Sequence, residues 1–152
     1  RTAHCVSPQH GLHQCLDLIH ESDGVVIGAP VHYASAAGAC SAFFDRVFYA
    51  KDSFAFKPGA VVVSCRRGGA SATFDQLNKY FTISSMPVVS SQYWNSVHGN
   101  TPEQVKQDLE GLQTMRTLAD NMAWLLNCIE AGKQAGIAYP TPERRISTSF
   151  IR

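Results

Sequence analysis

The sequence contains no apolar stretch long enough to cross a membrane, because no window approaches the roughly 18 continuous apolar residues that a spanning helix needs. It also has no run of lysine and arginine longer than a pair, and its formal net charge is only +1. This charge pattern argues against nucleic acid or a membrane surface as the main partner. The first residues, RTAHCVSPQH, lack a signal-peptide core, so a soluble cytoplasmic protein is expected.

Paired cysteines are also missing. The five cysteines are odd in number, scattered along the chain and free of any CxxC pair, which is typical of reduced thiols that mostly pack in the interior. A metal site is not predicted, because the spacings near the N-terminus match no standard zinc signature: His4, Cys5, His10 and His13. The segment CRRGGAS faintly resembles a phosphatase loop, but Ser71 stands where the closing arginine would be needed. That activity is therefore rejected.

The chain of 152 residues is 45% apolar, which is ample for one packed core. We expect residues 1–137 to form a single domain and residues 138–152 to run over a surface as an extended tail. The tail has two prolines and no helical stripe, yet it ends in the apolar pair Phe150-Ile151.

Three apolar runs predict strands: residues 25–29, 60–65 and 86–94. The first two runs show no polar alternation, which is typical of parallel strands that are buried on both faces. The first is expected to stop at Ala29-Pro30, where small residues around a single aromatic take over.

Helical spacing separates these runs. A first helix is predicted to begin at Ser7-Pro8 and to carry an apolar stripe: Leu12, Leu16 and Ile19. Further helices are predicted over residues 36–50 and 72–81. A final long helix begins at Thr101 with the T-x-x-Q spacing of a capping box and continues to Gly132.

This order of elements predicts an α/β protein with a doubly wound parallel sheet and helices on both faces. Three strands are fewer than such sheets usually contain. The strand over residues 25–29 is as apolar as a central strand, although nothing upstream in this sequence could pair with its other edge. We therefore expect that the N-terminal strands, a βαβ unit, are absent from this chain.

The predicted strands lead into three loops: residues 30–35, 66–71 and 92–100. Ligands bind beyond the carboxyl ends of strands in open parallel sheets. Small residues there would let backbone groups approach a flat aromatic ring, with Tyr33 or Trp94 against its face and Arg66 or Arg67 balancing negative charge. The alternatives are an interior role for the aromatic residues, a solvated arginine pair and glycines that only form a turn.

The segment GVVIGAPVHYASAAGACSAFFDR resembles the G-S-P-V-Y-x-x-S…F-x-D-R segment of the flavodoxin-like NAD(P)H-dependent FMN reductases, a family that includes iron-sulfur flavoproteins. CRRGGASATFDQLNKYF and MPVVSSQYW resemble the next two units of one bacterial branch of that family. The resemblance implies a flavodoxin-like fold with bound FMN. It assigns the binding of the isoalloxazine ring to two loops: Pro30, Val31, His32, Tyr33, Ala34 and Ser35 in the first, and Cys65, Arg66, Arg67, Gly68 and Gly69 in the second.

The same resemblance implies an oxidoreductase that takes hydride from NAD(P)H onto FMN and passes electrons to a small-molecule or protein acceptor. No catalytic residue is named, because the flavin itself carries the redox chemistry. Family members hold the FMN phosphate in a Ser/Thr-rich loop, whose counterpart would precede Arg1. Members with an iron-sulfur cluster group their cysteines just upstream of the position of Cys5, which stands alone here, so a cluster is not inferred.

The resemblance to this family also implies a dimer in which each flavin lies near the partner chain. The apolar end of the tail is therefore expected to pack on a second subunit of a homodimer. Two other functions stay open, namely an electron-transfer flavoprotein without nicotinamide activity and a cofactor-free fragment that acts as an interaction module.

Overall fold

The computed structural model describes residues 11–50, 53–144 and 146–150. Within these ranges the chain forms a four-stranded sheet and five helices. The strands are β1 Val25–His32, β2 Ser35–Ala36, β3 Gly59–Cys65 and β4 Ser96–His98. The helices are α1 Leu12–Glu21, α2 Gly38–Ala50, α3 Ala70–Thr82, α4 Pro102–Val105 and α5 Leu109–Gln134.

The sheet has the order β2-β1-β3-β4 and is mostly parallel. β1 pairs with β3 and β3 pairs with β4 in parallel, whereas β2 folds back antiparallel on the end of β1. Pro30 lies opposite Ser64, and Cys65 lies opposite His98. The carboxyl ends of β1, β3 and β4 therefore lie along one edge of the sheet, which we name the carboxyl edge.

The larger core lies between one face of the sheet and helices α1, α2 and α3. Each of these elements contributes fully buried side chains: Leu12, Ile27, Val47, Val61 and Leu77. A smaller core on the other face joins Ala60 of β3 to Leu118 of α5. The predicted α/β architecture with helices on both faces is confirmed, while the predicted helix start at Ser7-Pro8 lies outside the described residues.

β1 differs from its prediction in length and in burial. It continues past Ala29, pairs with β3 as far as Pro30 and ends at His32. Its side chains alternate, so that Ile27 is buried while Val26 is 58% exposed. The prediction that this strand is buried on both faces is wrong, because α5 packs beside β4 and over Ala60 of β3 and leaves the second face of β1 partly uncovered.

The strand predicted over residues 86–94 is also wrong. Only Val88 makes a bridge, to Gly59, and the regular strand is β4, which starts two residues after the predicted strand ends. The chain from Val88 to Ser96 is longer than the part of β3 beside it, from Gly59 to Val63, so the residues between loop out. The high β propensity of Val88 and Val89 led to the prediction of a strand where the structure has a loop.

The long C-terminal helix is interrupted near its start. Thr101 caps the helix as predicted, since its Oγ1 accepts from the Gln104 backbone N–H at 3.3 Å, while Gln104 Oε1 accepts from the Asn100 backbone N–H at 2.7 Å. The helix then breaks, and α5 starts after Asp108, whose Oδ1 accepts from the Gly111 backbone N–H at 2.9 Å. No helix in the described ranges is both long and apolar enough to cross a lipid bilayer.

The described tail residues, 138–144 and 146–150, are exposed and form neither helix nor strand. Tyr139 lies against the body of the protein, where its ring stacks on Phe56 with 4.7 Å between centroids and 11° between planes. Phe150 is 91% exposed. The domain boundary after residue 137 and the packing of the tail on a second subunit stay predictions.

Candidate functional site

A tight hairpin turn forms the first part of the carboxyl edge. Tyr33 and Ala34, which connect β1 to β2, have φ angles of 50° and 59°. This left-handed conformation costs a residue with a side chain roughly 1–2 kcal/mol, and hairpins normally place Asn or Gly there. The Tyr33 side chain is fully exposed. The turn thus holds an aromatic ring in solvent at the cost of backbone strain, and such strain is concentrated at functional sites.

The loop after β3 forms the second part. Arg66, Arg67 and Gly68 are exposed, and Gly69 precedes α3 with φ of 91°. No side chain caps this helix, so the backbone N–H groups of its first turn face the loop. A methyl group added at Gly69 would lie 2.5 Å from the Ala34 Cα atom. The two loops therefore touch, and this position requires a glycine.

Gln76 of α3 fastens the hairpin to helices α3 and α2. Its Oε1 accepts from the Ser35 hydroxyl at 2.6 Å and from the Ala36 backbone N–H at 3.1 Å. Its Nε2 donates to Ser41 Oγ of α2 at 3.3 Å. Sequence reasoning missed Gln76, because nothing in the sequence indicates which distant backbone a half-buried glutamine reaches.

Cys65 is the last residue of β3, where the second loop begins. Its side chain is buried, and this burial raises the pKa of the thiol. The Arg67 backbone N–H lowers it in part, and the negative charge of Asp108 raises it again. The thiol therefore stays protonated at neutral pH, which suits a packing role rather than a nucleophile.

His98 and Asp108 form the third part. Asp108 Oδ2 accepts from the His98 backbone N–H at 2.6 Å and lies 3.6 Å from His98 Nδ1. Burial raises the pKa of Asp108, but the N–H groups of Gly111 and His98 and the His98 side chain outweigh it, so the pKa is lowered. Sequence reasoning passed over this pair, although the D-x-x-G spacing from Asp108 to Gly111 is a readable helix start.

The structure brings together the two predicted loops, residues 30–35 and 65–69, but not Trp94. Trp94 precedes β4, so it lies near the N-terminal end of that strand, whereas His98 lies at the carboxyl end. The Trp94 ring makes an edge-to-face contact with Tyr93, with 4.9 Å between centroids. The position proposed for it against a ring at the carboxyl edge is therefore wrong. His4, Cys5 and His10 lie outside the described residues, among which no group of three metal-ligating side chains occurs.

A cavity of about 470 Å³ lies at the opposite end of the sheet, between the start of β1 and the end of α5. Of the two lysines in its wall, Lys57 donates to the backbone oxygens of His20 and Ser22 at the C-terminus of α1. Glu130 and Lys133 pair with each other at 3.9 Å. These charged side chains make contacts at the ends of α1 and α5, so the carboxyl edge remains the candidate site.

Comparisons with known proteins show the family to which the chain is related. The sequence profile of a family described as NADPH-dependent FMN reductase matches residues 2–101. An iron-sulfur flavoprotein of Methanocaldococcus jannaschii is 29% identical over 126 residues, covering 77% of this chain. The iron-sulfur flavoprotein of Methanosarcina thermophila is 28% identical over 127 residues, covering 78% of this chain. The chain spans 65% of the length of each of these relatives.

A solved structure supports the fold. RosB, crystallised with bound 8-demethyl-8-formylriboflavin 5'-phosphate, superposes with a TM-score of 0.64 at 16% identity, over 93% of this chain and 67% of that one. At this identity the likeness concerns the fold alone. It confirms the flavodoxin-like α/β fold as a mostly parallel four-stranded sheet flanked by helices.

Proposed function

Because the chain belongs to the NADPH-dependent FMN reductase family, we propose that it binds FMN at the carboxyl edge and transfers hydride from NAD(P)H to it. Electrons then pass to a small-molecule or protein acceptor. The observation that carries this proposal is the strained turn at Tyr33 and Ala34, packed directly against Gly69. A fold that only needed to connect β1 to β2 would have no reason to expose a tyrosine in this conformation.

The residues present fit a flavin. The exposed ring of Tyr33 offers a flat apolar surface for one face of the isoalloxazine, and the exposed backbone at Gly68, where an added methyl group would meet nothing within 4 Å, leaves room for its polar rim. Arg66 and Arg67 are exposed beside the uncapped start of α3 and would balance negative charge on the ring. The other residues assigned to ring binding complete the proposed site: 30–32, 34, 35, 65 and 69.

Bound FMN would supply the hydride acceptor, so the protein needs no acid, base or nucleophile of its own. The chain's part is to orient the ring between the two loops and to tune its charge. Gln76 keeps the distance between the loops fixed, because it contacts the hairpin from a helix that begins at the second loop.

The test begins with FMN titration of the protein, followed by anaerobic mixing with NADPH in a stopped-flow instrument. We expect saturable binding of FMN and bleaching of the flavin absorbance by NADPH. A flavin that binds but stays yellow would identify an electron-transfer protein instead. Failure to bind FMN would favour the interaction module and overturn the proposal.

A double-mutant cycle tests the placement. Tyr33→Ala and Arg66→Ala should each weaken FMN binding, and together they should deviate from additivity by about 0.5–3 kcal/mol, because neighbours that share a partner are coupled. His13→Ala on α1 is the control and should leave the FMN dissociation constant unchanged. Strict additivity would mean that the two side chains do not share one site.

A further inference from the structure

We propose that His98, oriented by Asp108, is a further flavin-contacting residue that accepts a hydrogen bond from the N3–H group of the isoalloxazine ring. The inference rests on the proposed binding of FMN at the carboxyl edge. It adds a third point of contact, at the end of β4, to the two loops already described.

The position of His98 is fixed by its neighbours. Its backbone N–H donates to Asp108 at 2.6 Å, and the next residue, Gly99, donates its N–H to the Cys65 backbone oxygen at 3.1 Å. Asp108 is in turn anchored by Gly111 at the start of α5. The end of β4 is thus tied both to α5 and to the residue that begins the second loop.

The three strand ends form a continuous row. His98 is the register partner of Cys65, and adjacent strands lie about 4.8 Å apart. From Cys65 the loop leads to Gly69, which contacts Ala34 of the hairpin. A ligand that spans from Tyr33 across the second loop therefore reaches the end of β4 with its far edge.

The chemistry of the pair selects the group that His98 can recognise. Asp108 Oδ2 lies 3.6 Å from Nδ1, and a carboxylate on that side favours the neutral tautomer with its proton on Nδ1. Nε2, on the opposite side of a ring that is 47% exposed, is then an acceptor. The oxidised isoalloxazine ring has a single N–H group, at N3, between two carbonyl groups. An acceptor at this place discriminates that edge of the ring from its dimethylbenzene edge.

The test compares FMN with FMN methylated at N3, in wild-type protein and in His98→Leu. We expect wild type to bind FMN about three- to tenfold more tightly than the methylated ligand, as one hydrogen bond implies. His98→Leu should bind both ligands with the same, weaker affinity. His20→Leu, at an exposed histidine of α1, should keep the wild-type preference.

A second measurement needs no ligand and no variant. Nitrogen chemical shifts of the His98 imidazole in the ligand-free protein report its tautomer, and we expect the proton on Nδ1. A proton on Nε2 would overturn the inference even if His98→Leu failed to fold. FMN binding that depends on Tyr33 and Arg66 but ignores N3 methylation would overturn it and leave the proposed function intact. Absence of FMN binding by wild type would overturn both.

Discussion

At the scale of single residues, we expect the turn at Tyr33 and Ala34 to favour ligand binding and to lower the free energy of unfolding. An Asn-Gly pair suits the observed turn, so Tyr33→Asn with Ala34→Gly should raise the free energy of unfolding by about 1–2 kcal/mol. The same variant should bind FMN more weakly, because the aromatic surface is lost. Urea unfolding and FMN titration measure the two effects.

Ala34→Gly alone is the matched control for this experiment. It relieves part of the strain and keeps Tyr33, so it should gain stability without losing affinity. A double variant that gains no stability would show that the turn is not strained, whereas one that retains full FMN affinity would remove Tyr33 from the site.

Asp108 gives a pH dependence of stability. Burial raises its pKa, but hydrogen bonds from Gly111 and His98 outweigh burial, so the folded-state pKa lies below the unfolded-state value. Its stabilising contribution is therefore complete above the unfolded-state pKa and is lost as pH falls through the folded-state pKa. Asp108→Ala should cost about 1–2 kcal/mol at neutral pH, since it removes the N-cap of α5.

Urea unfolding of wild type and Asp108→Ala between about pH 7 and pH 2 measures this effect, and the difference should narrow below about pH 4. Glu110→Ala, at an exposed acid of the same helix turn, is the control with little cost at any pH. A difference between wild type and Asp108→Ala that persists unchanged to pH 2 would contradict the assignment.

At the scale of elements, Gln76 couples the hairpin to α3. Gln76→Leu would leave the Ser35 hydroxyl and the Ala36 N–H without their acceptor, which should cost about 1–3 kcal/mol. It should also weaken FMN binding, because the hairpin loses its anchor. Gln113→Leu, at an exposed position of α5, is the control for the change of side chain. A stability loss with unchanged FMN affinity would restrict Gln76 to a structural role.

The elements also show what the sequence could predict. Periodicity identified α1, α2 and α3, because each has one continuous apolar stripe that becomes buried. It missed the break before α5, since Val105, Leu109 and Leu112 continue the stripe across Asp108. It could not tell that Val26 is exposed, because burial of the second face of β1 depends on which elements cover it.

The candidate site divides in the same way. The segments at residues 30–35 and 65–69 were predictable because they follow apolar runs and carry recognisable motifs, although residues 30–32 belong to β1 and Cys65 ends β3. The roles of Gln76 and His98 were not predictable, because they depend on contacts between elements that are distant in the sequence. For Asp108, only its capping of α5 could have been read from the sequence, and its contact with His98 could not. Trp94 was misplaced because its position follows from where β4 begins.

At the scale of the whole molecule, one surface is less covered than its composition suggests. Apolar side chains line a groove of about 390 Å³ between β1 and α5, among them Val26, Val62, Met115 and Met122. In the described part of the chain, the edge of β1 beside this groove has no partner apart from β2 at its end. An uncovered apolar surface of this kind binds hydrophobic dyes and promotes association.

Anilinonaphthalene sulfonate fluorescence should therefore rise strongly with the folded protein. Val26→Lys should reduce it by placing a charge in the groove, whereas Leu18→Lys on α1 should not, although the two wild-type residues are 58% and 59% exposed. Equal effects of the two substitutions would mean that the dye reports general surface hydrophobicity and that the groove is covered in solution.

The tail supports the last prediction, which concerns assembly. Ile146 and Phe150 are 90% and 91% exposed, and apolar side chains in an extended terminal segment are stabilised when they pack on another surface. Tyr139 packs on the body by stacking on Phe56, and the described residues after it, 140–144 and 146–150, are exposed and so accessible to a second copy. Deleting residues 138–152 should therefore shift the protein from dimer toward monomer in light scattering.

Tyr139→Ala separates the two contacts, because it removes the stacking on Phe56 and keeps the apolar residues that would contact the partner. A wild-type monomer, or a dimer that survives the deletion, would show that the tail has no part in assembly.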